Sequence, residues 1–262
     1  MLPLQHVLLS FVVAISLLAA GADLAPTGTL RASFLATNPV QGRVDPQTGA
    51  VTGPVADLVR ELAGRLRVPY TLLPVPDAAA VIDSVKSRKA DIGFLAYEAA
   101  RASQVDFSDP YALMANAYAV RADSSITRSA EVDRAGVKIG AVKGQSQEIY
   151  VSANIKNARV QVLPAMPAND IVAGMLAGGE LDVFAANRQR MEELARTSTK
   201  VRVLSDNFLM IGQAMVVDKG NRPALDELNR FLADVIASGF VKGSLERAKL
   251  VGSMQVAPIP KK

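Results

Sequence analysis

Cysteine is absent from the 262 residues, and histidine occurs once, as His6. The first absence excludes disulfides, thiolate metal sites, cysteine nucleophiles and a lipid anchor on a processed amino-terminal cysteine. The second leaves everything after His6 without an imidazole, so Ser-His-Asp, Cys-His and histidine-ligated zinc chemistries are unavailable there. Any catalysis would have to run on carboxylates, Lys, Tyr or Ser. Neither a metal nor a cofactor is expected.

Charge is missing from the opening stretch, since Met1 to Ala22 holds no Lys, Arg, Asp or Glu. Within it Val7 to Ala20 is a nearly unbroken apolar run, shorter than the roughly 20 residues that a spanning helix needs, and it ends in Ala20-Gly21-Ala22. The pattern predicts a secretory signal peptide over 1–22, cleaved after Ala22, with only His6 and the terminal amine as positive charge ahead of the run. No later segment approaches transmembrane length, and the processed chain is expected to be exported and monomeric.

Basic runs are lacking too. The 29 Lys and Arg are interspersed with 25 Asp and Glu for a net charge of +4, and no aromatics alternate with them. Nucleic acid is therefore not an expected partner, despite a pI of 9.4. Hydrophobic residues make up 50% and charged residues 21% of the chain, which fits a globular protein with a sizeable core.

What is present is an alternation of strand and helix signals. Thr29 to Leu35 reads as a strand, and a Pro/Gly/Asn-rich loop over Asn38 to Gly53 leads to Pro54 as the first residue of a helix. Val55, Leu58, Val59, Leu62 and Leu66 follow helical spacing. Strands are predicted at Tyr70 to Val75, Asp91 to Ala96, Ala117 to Arg121, Val137 to Val142, Val160 to Leu163, Leu181 to Ala186, Val201 to Leu204 and Gln213 to Val217. Helices are predicted after Asp77, from Gln145-Ser146, over Asp170 to Ala177, over Gln189 to Arg196 and from Pro223. This alternation implies α/β architecture with mostly parallel sheets flanked by helices, and ligands then belong at the carboxyl ends of strands. Val251 to Lys262, with its prolines and terminal lysines, reads as a flexible tail.

Asp91-Ile-Gly-Phe-Leu-Ala-Tyr-Glu-Ala-Ala-Arg101, followed by Val105-Asp106-Phe107-Ser108-Asp109-Pro110-Tyr111, resembles the signature region of the family 3 extracellular solute-binding proteins, the polar amino-acid receptors of ABC importers. The likeness extends to Thr29-Leu30-Arg31, to Gly53 to Leu66, to Val137 to Gly144 and to Gly179-Glu180-Leu181-Asp182. It implies the two-lobed, type II periplasmic-binding-protein fold, in which two crossing strands join lobes that close over ligand by a hinge motion. The crossings are expected near Tyr111 to Val120 and Ile211 to Val217. Lobe 1 would take 23–112 and return over 214–250, lobe 2 would take 113–213, and 251–262 would form the tail.

The resemblance also implies site residues. An arginine at the position of Arg101 grips the ligand carboxylate in this family, and a guanidinium suits that task because it is always charged and presents a planar fork. Alone, such an arginine is more often a solvated surface residue; the following Phe-Ser-Asp-Pro-Tyr spacing reverses that reading. Gly144-Gln145-Ser146 lies between strand and helix, where free backbone N–H groups attract an anion, and the family places its other carboxylate contacts there. An ordinary helix cap by Gln145 or Ser146 is the competing reading.

The family's ammonium site is altered. Its acidic position after the second-lobe strand is Asn187, and its hydroxyl position in lobe 1, two residues past a carbonyl, is Ala96. Glu98 stands where the family prefers a threonine cap; it would supply the missing negative charge or pair with Arg101. Tyr97 and Phe94 are candidates for an aromatic wall or for core, and Asn38 is the candidate in the loop over the ligand. Arg188 is either a second anion contact or a solvated charge at a helix start.

Three functions compete on this reading. The leading one is a periplasmic binding protein that captures a small anionic or amino-acid-like solute and delivers it to an ABC permease at the inner membrane. A cyclohexadienyl-dehydratase-like enzyme on the same fold, with Glu98 as general acid, is the second. The third presents its ligand to a membrane sensor.

Overall fold

The computed structural model describes residues 23–259, and the expected signal peptide lies outside them. Among the described residues no helix is long and apolar enough to cross a membrane. In chain order the elements are β1 (Leu30–Leu35), β2 (Arg43–Val44), β3 (Val51–Thr52), α1 (Pro54–Leu66), β4 (Tyr70–Val75), α2 (Ala78–Lys86), β5 (Ile92–Ala96), α3 (Ala99–Ala102) and β6 (Val105–Arg121). They continue with β7 (Lys138–Val142), α4 (Ser146–Asn154), β8 (Arg159–Leu163), α5 (Asn169–Ala177), β9 (Val183–Asn187), α6 (Arg188–Thr197), β10 (Val201–Val203) and β11 (Leu209–Asp218). The last are α7 (Arg222–Ala237), α8 (Phe240–Arg247) and β12 (Met254–Val256).

The chain divides into two compact α/β units. One runs to Tyr111 and resumes over Ala214–Ser244; the other takes Ala112–Gln213 and Leu245–Ala257. Strands β6 and β11 each pass from one unit into the other.

In the first unit the strand order is β4-β1-β5-β11, with β4, β1 and β5 parallel. Helix α1 follows the sequence signal closely: Pro54 opens it without losing a hydrogen bond, and Val55, Leu58, Val59 and Leu62 form its buried stripe. Helix α2 buries Val81, Ile82 and Val85 against Leu35, Leu95, Val105 and Val216. Each such fully buried aliphatic side chain contributes roughly 1.5–3 kcal/mol. Gly93 lets α2 and β11 approach β5 this closely, because a Cβ there would lie 2.6 Å from Val81 Cγ1 and 3.0 Å from Val216 Cγ2.

The second unit orders its strands β6-β9-β7-β8, parallel except for β6, and β10 and β12 also pair with β6. Its sheet is buried on both faces. Val142, Leu163, Phe184, Val172, Leu176 and Met191 fill one side, and Tyr118, Ile139, Ala141, Val151 and Val183 fill the other.

The two units share a clamp at the amino edge of their sheets. In the first, the Asp91 carboxylate accepts the backbone N–H of Arg31 at 2.8 Å and its guanidinium Nη2 at 2.5 Å, while Asp91 N–H returns a bond to the Arg31 carbonyl at 2.8 Å. Arg31 Nη1 also reaches the carbonyl of Arg88 at 2.7 Å. In the second, Asp182 accepts the N–H of Lys138 at 2.8 Å and donates its own to the Lys138 carbonyl at 2.9 Å. Lys138 Nζ donates to the carbonyl of Gly179. The same offsets recur, so the residue three before each aspartate receives the cation. Both Arg88 (φ 57°) and Gly179 (φ 71°) adopt the left-handed conformation that turns the chain into this clamp.

Two expectations are corrected. Strand β6 begins at Val105, well before Ala117, because side chains supply bonds around Pro110 that a regular ladder would otherwise make. Ser108 Oγ accepts from Met215 N–H at 3.0 Å, and Asn229 Oδ1 accepts from Asp109 N–H at 2.8 Å. The stretch expected as a flexible tail from Val251 instead contains β12, paired antiparallel with β6 through Met254 and Met114, and Met254 and Ala257 are buried. That pairing draws Leu245–Ala257 into the second unit, whereas the sequence assigned residues up to 250 to the return of the first.

Removing the clamp carboxylate strands a partly buried guanidinium and a backbone donor. Asp91→Ala is expected to cost about 3 kcal/mol, and Asp182→Ala about 1–2 kcal/mol, in urea unfolding. Two silent substitutions would contradict the clamp's role.

Candidate functional site

With the amino edges closed by these clamps, the loops at the carboxyl edges carry the candidate residues. In the first unit, β1 ends at Leu35 and β5 at Ala96. Gln41 ties these ends together from below the loop: its Oε1 accepts Leu35 N–H at 2.9 Å, and its Nε2 donates to the Phe94 carbonyl at 3.3 Å. It is 1% exposed. Asn38 is half-buried and shapes the same loop, its carbonyl accepting the N–H of Gln41 at 3.0 Å.

Arg101 sits in the single turn of α3 directly after β5. It is 8% exposed, and Nη1 donates to the Ala96 carbonyl at 2.9 Å. Burial strips water from the guanidinium and pulls its pKa down, an effect that the nearby Glu98 charge opposes. Such a residue is held charged at a desolvation cost, and an incoming carboxylate relieves that cost. Glu98 occupies the helix-start position in extended conformation and makes no side-chain capping bond. It is half-buried. Tyr97 is 51% exposed with its ring edge-on to Phe107 at 5.2 Å, whereas Phe94 is fully buried against the Tyr111 ring and belongs to the core.

In the second unit β7 leads through Gly144, at φ 72°, into α4. Gln145 takes the N-cap position but makes no side-chain capping bond, so the competing cap reading finds no support in its side chain. Ser146 and Gln147 are buried. Gln147 Nε2 donates to Asn116 Oδ1 at 2.5 Å, and Asn116, fully buried on β6, donates onward to the Met114 carbonyl at 3.2 Å and the Leu209 carbonyl at 3.3 Å. The start of α4 is thereby bonded to both β6 and β11.

Asn187 ends β9 and caps α6, its Oδ1 accepting Arg190 N–H at 2.9 Å. Arg188 is braced within the unit: Nη2 donates to the carbonyls of Leu204, Ser205 and Asp206 at 3.1, 3.2 and 2.9 Å, Nε donates to Asn207 Oδ1 at 2.5 Å, and Nη1 lies 3.5 Å from Glu192 Oε1. Arg190, two residues on, is half-buried and donates from Nη2 to the Pro167 carbonyl at 2.6 Å.

Sequence reasoning passed over Gln41, Asn116, Gln147 and Arg190. For the first three no local signal existed, because a polar residue's distant partner is not written beside it. For Arg190 there was one, a cation in the first turn of a helix that carries no acidic residue there.

Among the described residues no cluster of His, Cys, Asp or Glu is placed to hold a metal ion. A cavity of about 470 Å³ in the second unit, lined by Arg121, Asp123, Arg134 and Asp182, lies at the opposite, clamped edge. Its arginines are matched by Asp123 at 2.5 Å and Glu131 at 3.6 Å.

A profile of the bacterial extracellular solute-binding proteins, family 3, matches residues 30–247. The chain belongs to this family. It is similar to the L-cystine-binding protein TcyJ of Escherichia coli K12, with 23% identity over 203 residues, 76% of this chain and 74% of that protein. Among solved structures it resembles a putative binding component of an ABC transporter from Wolinella succinogenes, complexed with lysine. That likeness has a TM-score of 0.72 at 21% identity and covers 84% of this chain and 95% of the other. An ancestral amino acid-binding protein described as a precursor of cyclohexadienyl dehydratase gives a TM-score of 0.71 at 21% identity over 87% and 97% of the chains. The member described here therefore has the two-lobed α/β fold of the type II binding proteins.

The Asn116–Gln147 bond predicts an energetic coupling. In a double-mutant cycle, Asn116→Ala and Gln147→Ala are expected to couple by about 1–3 kcal/mol, since either change alone leaves a buried amide without its partner. Additive losses in the chemical unfolding of all four proteins would contradict this.

Proposed function

We propose that this family member is the periplasmic binding component of an ABC importer, exported by a signal peptide cleaved after Ala22. It works as a monomer, binds a carboxylate-bearing solute through Arg101, and hands it to the permease without performing chemistry. The observation that carries the reading is the buried, desolvated Arg101 guanidinium, oriented by the Ala96 carbonyl at 2.9 Å. The α4 start at Gln145–Ser146 supplies backbone donors of the kind that bind carboxylates.

The relatives' names speak of cystine and lysine, yet the groups that would receive an α-ammonium are weakly provided here. Ala96 has no hydroxyl, the Phe94 carbonyl accepts from Gln41, and Asn187 Oδ1 accepts from its own helix. An ammonium shut away without a counter-charge loses several kcal/mol. The preferred solute accordingly lacks this group or has it held by Glu98. Calorimetry separates the two with matched pairs of an amino acid and its deaminated analogue. Glu98→Gln leaves affinity unchanged or improved for an amine-free acid, and weakens an amino acid by about 2 kcal/mol or more if Glu98 holds the amine.

Arg101→Ala is expected to weaken carboxylate binding by about 2–5 kcal/mol with the far-ultraviolet spectrum intact, and Arg101→Lys to restore only part. Unaltered affinity in folded Arg101→Ala protein would discard the site. The structural likeness to a dehydratase precursor motivates one competing reading, with Glu98 as general acid. A new product detected by mass spectrometry after incubation with cyclic acids would favour it.

A further inference from the structure

The two ends of a side-chain amide are distinguished by their partners, and in the second unit a pair of amides is anchored by groups that cannot change role. Asn116 is fully buried on β6, and its amide nitrogen faces the carbonyls of Met114 and Leu209 at 3.2 and 3.3 Å. Carbonyls only accept, so Nδ2 is fixed on that side and Oδ1 is left to accept. Gln147 must then present Nε2 to it, and does so at 2.5 Å. The constraint passes to the far side of the Gln147 amide, where only the acceptor Oε1 remains.

Gln147 is 5% exposed and lies in the first turn of α4, a helix of nine residues whose N-cap, Gln145, makes no side-chain capping bond. Its Oε1 has no hydrogen-bond partner among the described residues, yet it is not sealed from solvent as Tyr111 Oη and Arg190 Nε are. Asn116, on which the amide rests, stands opposite Asn187 at the carboxyl end of β9. The unpaired acceptor therefore opens at the carboxyl edge of the sheet. Beside it is Ser146, 3% exposed, whose hydroxyl is also without a partner among the described residues. The carboxylate of Glu148, in the same turn, accepts from Gly144 N–H at 3.1 Å and from Ser152 Oγ at 2.8 Å. All of these residues belong to the second unit.

An acceptor held this deeply without a partner costs free energy that a donor on a ligand recovers. The helix start selects among donors. Its unpaired backbone N–H groups attract an anion, and the same positive end opposes an ammonium, whose lost hydration a neutral amide oxygen returns only in part. A hydroxyl carries no charge and meets neither obstacle. We infer that Gln147 is a specificity-determining residue whose Oε1 accepts a hydrogen bond from a hydroxyl of the carboxylate-bearing solute, so that the preferred ligand is a hydroxy acid. This deepens the proposed function and rests on it.

The test is calorimetry of matched sets that differ in one group: lactate, propanoate and alanine; malate, succinate and aspartate; phenyllactate, phenylpropanoate and phenylalanine. It uses wild-type protein, Gln147→Met, Gln147→Glu and Arg101→Ala, with urea unfolding to establish that each is folded. In the wild type the best-bound hydroxy acid is expected to exceed its deoxy partner by roughly tenfold or more, because the analogue without a hydroxyl leaves a buried polar group unpaired. Gln147→Met removes the acceptor and should bring that ratio to within about threefold. Gln147→Glu puts a charge in its place and should shift the ratio of amino acid to hydroxy acid upward by about tenfold or more. An amide that only supports the fold would weaken every member of a set alike, so ratios unchanged in both variants overturn the inference. So does a wild-type ratio of hydroxy to deoxy acid near unity. Arg101→Ala distinguishes the underlying reading: weakening across a whole set upholds the carboxylate grip whatever Gln147 does. Failure of the wild type to bind any of these acids overturns both.

Discussion

A parallel strand pair has no hairpin to set its register, so something else must hold its opening residues level. In this protein an aspartate does so twice. Asp91 and Asp182 each exchange two hydrogen bonds with the backbone of a residue at the start of the neighbouring strand, Arg31 in β1 and Lys138 in β7, and a cation on that residue completes the ring. The consequence is felt at the other end of the sheet. With Ala32 opposite Ile92, Leu35 and Ala96 finish close enough for one buried glutamine to bond to both β1 and β5. Arg101 then emerges one turn beyond β5, already oriented by Ala96.

At these edges guanidinium charge is kept where water is scarce. Arg101 gives up solvation on burial, and the Ala96 carbonyl and the field of Glu98 are among the interactions that counter that loss. The second unit carries no carboxylate in the first turn of α6 and has Arg190 there instead.

Much of the architecture was legible in the sequence. Helical spacing located α1, α2 and α7 because their apolar stripes are uninterrupted, and the Asp-Ile-Gly-Phe run located β5. The beginning of β6 was hidden by Pro110, whose missing donor is compensated by Ser108 and Asn229, a partner more than a hundred positions away. The tail was misread because its prolines and lysines outweigh a short Met-Gln-Val strand that only its pairing with β6 reveals. Among the candidate residues, Arg101, Ser146 and Asn187 could be placed by their position after strands. Phe94 turned out to be core, and Arg188 a brace for the 204–206 loop. Gln41 and Gln147 were illegible because their meaning lies in distant carbonyl and amide partners.

The central claim is that this family member takes an anionic, carboxylate-bearing solute for which an α-amine is not the main handle. Native mass spectrometry of the protein recovered from its own producing cells, with release and identification of the bound molecule, addresses it most directly. The expected molecule is a small carboxylate, without a primary α-amine unless Glu98 holds it. Recovery of a cationic or neutral amino acid, bound as tightly by Glu98→Gln protein as by the wild type, would contradict it.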